Sequence, residues 1–172
     1  MKFEIKVYPD PVLRKKAEDV REINDEIIEI LDIMKDMMYS YKGIGLAAEQ
    51  IGLTKKLVVI DLMPDGKSEL MQLINPEIIE SEGIYEEHEE GCLSVPGYYD
   101  VVRNRKKGVK VKYIDRDGND RVIETDDFIS VVLQHEIDHL NGTLFVDRLS
   151  PIRRNVFKKE WKKIQKERQE AQ

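Results

Sequence analysis

The sequence predicts an α+β fold, in which antiparallel β-sheets surround a central helix and a charged helix ends the chain. Three observations indicate this fold: short apolar runs separated by turn residues between 57 and 120, a mostly apolar helical segment from 126 to 141, and a charged helical segment after Ser150. At 172 residues the chain fits one domain, residues 1–172, because this length can bury most of its apolar surface around one core.

The first long helix is predicted from Asn24 to Tyr41. Its apolar residues recur at helical spacing, Asn24 is a favourable N-cap, and Gly43 lies just past the end. The adjacent Met37 and Met38 could offer soft ligands, but their place in the helical pattern favours core packing.

Strands are predicted where short apolar runs alternate with turn signals at 64–66 and 115–118. No helix of crossover length separates these runs, so antiparallel pairing is favoured. The predicted strands are Leu57–Asp61, Leu70–Ile74, Glu77–Glu80 and Gly108–Ile114.

Two helices are predicted in the last third of the chain. Apolar residues cover so much of the helix from Asp126 to Asn141 that it must be largely buried, and Gly142 ends it. Ser150 and Pro151 begin the last helix, residues 151–172, which carries eight Lys and Arg against three Glu. The whole chain has a net charge of −6, so the preceding 150 residues carry −11.

Composition excludes several classes of protein. Hydrophobic residues make up 41% of the chain and charged residues 36%, which is typical of a globular protein. No apolar stretch approaches the roughly 18 residues that a membrane span needs, and the N-terminus lacks the apolar core of a signal peptide. The single cysteine, Cys92, excludes an intrachain disulfide and favours a reducing compartment. We therefore expect a cytoplasmic protein with no membrane partner.

An H-E-x-x-H motif lies inside the buried helix at His135, Glu136 and His139. Two histidines four residues apart share one helical face, so both imidazoles can bind one metal ion. Glu136 lies beside such an ion and can take a proton without occupying a coordination position.

A catalytic metal site of this kind needs a third protein ligand. Metzincins place a histidine six residues after the motif, where this chain has Phe145, so that class is excluded. Gluzincins use a downstream Glu, and Glu160 lies at about the right distance, although its lysine-rich surroundings favour a surface salt bridge. The remaining candidate is Cys92.

Three motifs carry a resemblance to the peptide deformylase family. They are E-G-C-L-S at 90–94, H-E-x-D-H-x-x-G at 135–142 and G-I-G-L-A-A-x-Q at 43–50, with Glu49 in the variable slot. All three stand in the family's order, and further likeness at 8–13 and 142–148 extends the resemblance over nearly the whole chain.

The resemblance implies a metal-dependent hydrolase that removes the N-formyl group from the N-terminal formyl-methionine of nascent polypeptides. Cys92, His135 and His139 would hold one divalent ion, physiologically Fe²⁺, with Zn²⁺, Ni²⁺ or Co²⁺ able to occupy the site. This agrees with the chemistry, because a coordinated thiol is deprotonated and three protein ligands leave the ion open. Hydroxide formed there would attack the formyl carbon, and Glu136 would move the proton.

The resemblance also implies groups that stabilise the oxyanion and bind substrate. The Gln50 side chain and the Leu93 backbone N–H would donate to the oxyanion. Phe128 and Val131 continue the ligand face of the helix, so they either wall a methionine pocket, with Val132 at its edge, or simply belong to the core. Glycines at 43 and 45 would let the peptide backbone approach closely. The expected substrate-binding residues are Ile44, Gly45, Gly91, Phe128 and Val131.

The basic C-terminal helix leaves two interpretations open. Its Lys and Arg residues could contact ribosomal RNA near the nascent chain, or it could be a solvated surface helix. A non-enzymatic metal-binding or ribosome-docking module is the remaining alternative; such a module would bind metal but release no formate from a formyl peptide.

Overall fold

The computed structural model describes residues 2–172. In this range there are three α-helices, α1 (Asp25–Ser40), α2 (Phe128–Leu140) and α3 (Pro151–Glu170). The same range contains seven strands: β1 (Gly45–Ala47), β2 (Leu57–Ile60), β3 (Met71–Glu82), β4 (His88–Cys92), β5 (Val95–Val102), β6 (Gly108–Ile114) and β7 (Asp120–Thr125). All strand pairs are antiparallel, with a five-stranded sheet in the order β1-β2-β3-β6-β7 and a two-stranded sheet of β4 and β5 among the described residues. The predicted α+β class is confirmed.

Helix α1 forms where the sequence predicts it. The Asn24 side chain accepts a hydrogen bond from the Ile27 backbone N–H at 3.0 Å, which satisfies one free donor of the first turn. The apolar face, including Met34 and Met38, is buried against β1 and β2. Met38 is therefore a core residue, as its position in the pattern indicates.

The strand prediction is partly wrong around Asn75 and Pro76. Leu70–Ile74 and Glu77–Glu80 were expected to be separate strands, but one strand, β3, runs through both. Its pairing with β6 shifts register between Ile74 and Glu77, where Pro76 cannot donate a ladder hydrogen bond. Asn75 compensates by exchanging side-chain hydrogen bonds with the backbone of Val20.

Four strands have no counterpart in the prediction, namely β1, β4, β5 and β7. The most consequential is β4, whose sequence His-Glu-Glu-Gly-Cys has little strand propensity. It forms because it pairs with β5, which is mostly apolar and has Val95 and Val102 fully buried.

Helix α2 lies against the five-stranded sheet at the centre of the molecule. It begins at Phe128, two residues later than predicted, and Leu133 and Ile137 pack on the sheet. Gly142 follows with φ of 75°, and a Cβ there would lie 2.5 Å from the Arg14 carbonyl oxygen. Glycine is therefore needed both for the backbone conformation and for close packing at the end of the site-bearing helix.

Helix α3 is attached to the two-stranded sheet by a few aromatic residues. Phe157 and Trp161 are buried against Tyr8 and Tyr98, while most other side chains of the helix are exposed. No helix within residues 2–172 has the length and apolar character required to cross a membrane.

Candidate active site

The structure brings Cys92, His135 and His139 together. Cys92 is the last residue of β4, and the two histidines lie one turn apart on α2. One potential ligand atom from each residue lies within 4.8 Å of the other two, and Cys92 Sγ is 3.4 Å from His139 Nε2. The three predicted metal-ligating side chains therefore converge, although they come from segments more than 40 residues apart.

The cluster fits a divalent cation. Burial lowers the pKa of His135, but hydrogen bonds to Cys92 and Glu90 outweigh this effect and hold that pKa well above its usual range. Burial and the neighbouring His135 lower the pKa of His139 well below its usual range. A thiol and two imidazoles that converge in a buried position form a donor set that a divalent cation can bind, and such binding requires deprotonated ligands. One sulfur and two nitrogens suit Zn²⁺ or Fe²⁺.

Glu136 lies beside the cluster in a fully buried position. Its Oε1 is 3.9 Å from His139 Nε2, and among residues 2–172 its Oε2 has no hydrogen-bond partner. Burial raises the pKa of Glu136 to about 7. A Cβ on Gly45 would lie 2.8 Å from Oε2, so the glycine leaves room for the carboxylate. This places a group that titrates near neutral pH next to the candidate metal ligands.

The Gln50 side chain also reaches the cluster, from a short 3-10 helix after β1. It is 1% exposed, and the Ala47 backbone N–H donates to its Oε1 at 3.0 Å, which orients the amide. Its Nε2 lies 3.4 Å from Cys92 Sγ and donates to Ser94 Oγ at 3.1 Å. Leu93 lies in the turn that joins Cys92 to β5. Both predicted oxyanion donors are therefore beside Cys92.

A buried ionic network contacts the Nδ1 side of His135, and the sequence analysis did not predict this network. Glu90 Oε1 accepts from His135 Nδ1 at 2.9 Å and from Arg105 Nη2 at 2.8 Å, while Arg105 Nε donates to Oε2 at 2.9 Å. Arg105 Nη1 also donates to Asp138 at 2.6 Å, and Arg148 donates twice to the same carboxylate. A carboxylate on the outer nitrogen fixes the orientation of a ligating histidine.

Charge compensation stabilises this network. Burial raises the pKa of Glu90, but hydrogen bonds from Arg105 and His135 outweigh burial and hold that pKa well below its usual range.

Glu90 and Asp138 lie within two of the recognised motifs, so a sequence signal for them was present. Arg105 carries no such signal, because an arginine in a polar segment is ordinarily exposed, whereas this one is 2% exposed.

The cluster opens onto a cavity of about 580 Å³. Ile44 and Phe128 are partly exposed at its edge, and Val131 is buried in its wall. A Cβ on Gly91 would lie 2.4 Å from the Tyr99 ring, so only glycine leaves that ring in place over β4. All five predicted substrate-binding residues line the cavity, together with Val132: Ile44, Gly45, Gly91, Phe128 and Val131.

Glu160 lies outside this site. It is on α3, half-exposed, with its carboxylate 3.7 Å from Lys163 Nζ. The candidate cluster found in residues 2–172 consists of Cys92, His135 and His139 and does not include it. The gluzincin alternative therefore has no geometric support.

An H-E-x-x-H helix and a cysteine that meet beside a buried glutamate, at an open cavity, define a metal-dependent hydrolase. The sequence profile of the polypeptide deformylase family matches residues 2–155. The chain belongs to this family of enzymes, which remove the N-formyl group from nascent polypeptides.

Similarity to individual relatives extends over almost the whole chain. A peptide deformylase of Syntrophobacter fumaroxidans is 47% identical over 166 residues, which cover 96% of each chain. The crystal structure of a peptide deformylase from Legionella pneumophila is 43% identical, with a TM-score of 0.89 over 98% of each chain. A Synechococcus elongatus peptide deformylase crystallised with actinonin is also 43% identical, with a TM-score of 0.82 over 87% of this chain and 81% of that one. The predicted family and enzyme class are confirmed.

Proposed function

We propose that Cys92, His135 and His139 hold the metal ion with which this enzyme hydrolyses N-formyl-methionyl peptides to formate and a free N-terminal methionine. The observation that carries the proposal is the convergence of these three ligand atoms within 4.8 Å beside Glu136. We further propose Fe²⁺ as the physiological ion, with Zn²⁺, Ni²⁺ or Co²⁺ as substitutes. When bound, such an ion supplies Lewis-acid chemistry to a water molecule and to the formyl carbonyl.

Glu136 acts as the general base and then the general acid. Its carboxylate is buried, and its pKa of about 7 suits a group that both accepts and releases a proton at neutral pH. Its Oε2, which no described residue engages, is the atom available to take a proton from the attacking water. The same atom can then deliver the proton to the leaving amine.

Gln50 and Leu93 stabilise the negative oxygen of the tetrahedral intermediate. The Gln50 amide is fixed before substrate arrives, because Ala47 holds its oxygen and Ser94 accepts from its nitrogen. The Leu93 N–H would be the second donor, from the turn next to Cys92. Preorganised donors of this kind contribute about two to three orders of magnitude in rate each.

The peptide backbone binds along Ile44, Gly45 and Gly91, in the manner of an added strand. Side-chain-free positions at Gly45 and Gly91 allow close approach on both sides of the cavity. The methionine side chain lies against Phe128 and Val131, on the same face of α2 as His135. The relative that crystallised with actinonin supports a test with that compound, and we expect it to compete with formyl peptide.

The experiment that tests the assignment compares metal content and formate release. The protein is loaded anaerobically with Fe²⁺ and assayed on formyl-Met-Ala-Ser. Cys92→Ser and His139→Ala should each lose stoichiometric iron and release little formate. Glu160→Ala, the matched control, should keep both. Stoichiometric iron and full turnover in Cys92→Ser would overturn the ligand assignment; iron without formate in the wild-type protein would favour a metal-binding module.

We also propose that the enzyme acts as one domain in the cytoplasm and meets its substrate at the ribosome. The eight Lys and Arg residues of α3 form the surface proposed to contact ribosomal RNA. Deleting residues 155–172 should weaken cosedimentation with ribosomes at low salt. Because this deletion also removes the buried Phe157 and Trp161, a second variant should replace only exposed lysines with glutamine. Unchanged cosedimentation of a folded lysine variant would refute the ribosome contact.

A further inference from the structure

His88 lies between the cavity wall and the carboxylate that orients His135. Its side chain is 12% exposed, and its ring is edge-on to Phe128, with ring centroids 6.4 Å apart. The ring also contacts Tyr85, at 5.5 Å between centroids, and Tyr85 and Phe128 themselves lie 6.5 Å apart. His88 therefore contacts a residue of the methionine pocket while remaining outside the metal cluster.

Both ring nitrogens of His88 face acceptors. Nε2 lies 2.6 Å from Glu90 Oε2, and Nδ1 lies 3.0 Å from the Glu86 carbonyl oxygen. Arg105 donates to both oxygens of Glu90, so the group is a carboxylate and its Oε2 offers no hydrogen. The hydrogen in the short contact must then belong to His88 Nε2, which acts as the donor.

His88 completes the set of donors around Glu90. Oε1 accepts from Arg105 Nη2 and His135 Nδ1, and Oε2 accepts from Arg105 Nε and His88 Nε2. A carboxylate has about four acceptor sites, so the four donors saturate it. Arg105 pairs with both oxygens of the carboxylate, and each oxygen takes one further donor, His135 on Oε1 and His88 on Oε2.

We propose that His88 is a positioning residue that links Phe128 in the methionine pocket to His135 through Glu90. Donation from His88 fixes Glu90 Oε1 toward His135 Nδ1, and the His88 ring supports Phe128. The inference rests on the assignment of His135 as a metal ligand. Arg105 alone still holds the carboxylate when His88 is removed, so the expected change in metal affinity is about 3- to 10-fold, below the full effect of losing a partner of the ligand itself.

Two substitutions separate the two contacts. His88→Gln keeps a donor near the Nε2 position and removes the ring, whereas His88→Phe keeps the ring and removes the donor. Zn²⁺ affinity of the metal-free protein, measured by competition with a chromophoric chelator, should fall about 3- to 10-fold in His88→Phe and stay within twofold in His88→Gln. KM for formyl-Met-Ala-Ser should show the opposite pattern, rising about two- to threefold in His88→Gln only.

A third variant protects the test against misfolding. If the thermal unfolding midpoint of His88→Phe differs from that of the wild-type protein, His88→Asn replaces this variant. Asparagine retains a donor near Nδ1 and cannot reach Glu90. Equal Zn²⁺ affinity in the wild-type protein, His88→Gln and the folded donor-less variant would overturn the proposal. His135→Ala measured in the same titration tests the underlying assignment separately, because it must lose tight Zn²⁺ binding whatever His88 does.

Discussion

Helices α2 and α3 follow each other in sequence but meet different physical demands. Nine of the 13 residues of α2 are buried, against two of the 20 in α3, within the described chain. Three polar side chains of α2 are held by partners from β4 and from the loop after β5, namely Gln134, His135 and Asp138. The polar side chains of α3 mostly face water. A charged side chain on α2 therefore needs an oppositely charged or hydrogen-bonding partner, or a role in catalysis. A charged side chain on α3 is stabilised by water.

The largest expected effect is on catalysis, from Glu136 on α2. Glu136→Gln keeps the size of the side chain and removes its ability to take a proton, so kcat should fall by about 10² to 10⁴. Metal content should stay at the wild-type level, because Glu136 is not a ligand in the proposed site. The measurements are formate release and metal analysis on the same preparation; turnover within threefold of wild type would contradict the proposed role.

The next effect is on stability, from the ionic network behind α2. Arg105→Met leaves Glu90 and part of Asp138 buried without their cation, so the free energy of unfolding should fall by about 3–5 kcal/mol. Denaturant titration of the metal-free protein measures this. A double variant in which Glu90 is also replaced by Met should recover part of the loss. A change below about 1 kcal/mol in the single variant would mean that water reaches the network.

Glu49 is a buried carboxyl group that has no role in the proposed mechanism. It is fully buried, neither carboxylate oxygen has a partner among the described residues, and burial raises its pKa to about 8 from an ordinary 4.5. Below pH 4.5 the folded and unfolded states are both protonated at this residue. Between pH 4.5 and 8 only the unfolded state ionises, so the stability contribution falls as pH rises and levels off above pH 8.

Glu49→Gln removes this titration. Between pH 5 and 8.5 the wild-type protein should lose about 1–3 kcal/mol more unfolding free energy than the variant. Denaturant unfolding curves at several pH values provide the comparison, and activity at pH 7 serves as the check that the neighbouring Gln50 is undisturbed. Parallel pH profiles for the two proteins would show that the carboxyl finds a partner or reaches solvent.

The smallest effect is expected on α3. Glu160→Ala removes an ion pair with Lys163 that is exposed to water, so the free energy of unfolding should change by less than about 0.5 kcal/mol. Thermal unfolding and metal content should match those of the wild-type protein. A loss of metal would restore the gluzincin alternative and remove the contrast between the two helices.

Much of the site could be predicted because its residues lie in short motifs with chemical meaning. The spacing of His135 and His139 is sufficient for two ligands on one helical face, and the apolar pattern around them predicts a buried helix. The strands that bring Cys92 to this helix were harder to predict. Strand β4 is mostly charged, and its conformation depends on its partner β5 rather than on its own propensity.

The sequence by itself determined the family, the fold class, the two histidines with their glutamate, and the positions of α1 and α2. These follow from local periodicity, from capping residues and from motifs, all of which are encoded within a few turns of chain. Only the tertiary structure decided which distant groups surround them: Glu90 and His88 from β4, and Arg105 from the loop after β5. The reason is that burial removes water as the default partner, so the identity of a polar partner depends on which segments pack together and not on sequence separation.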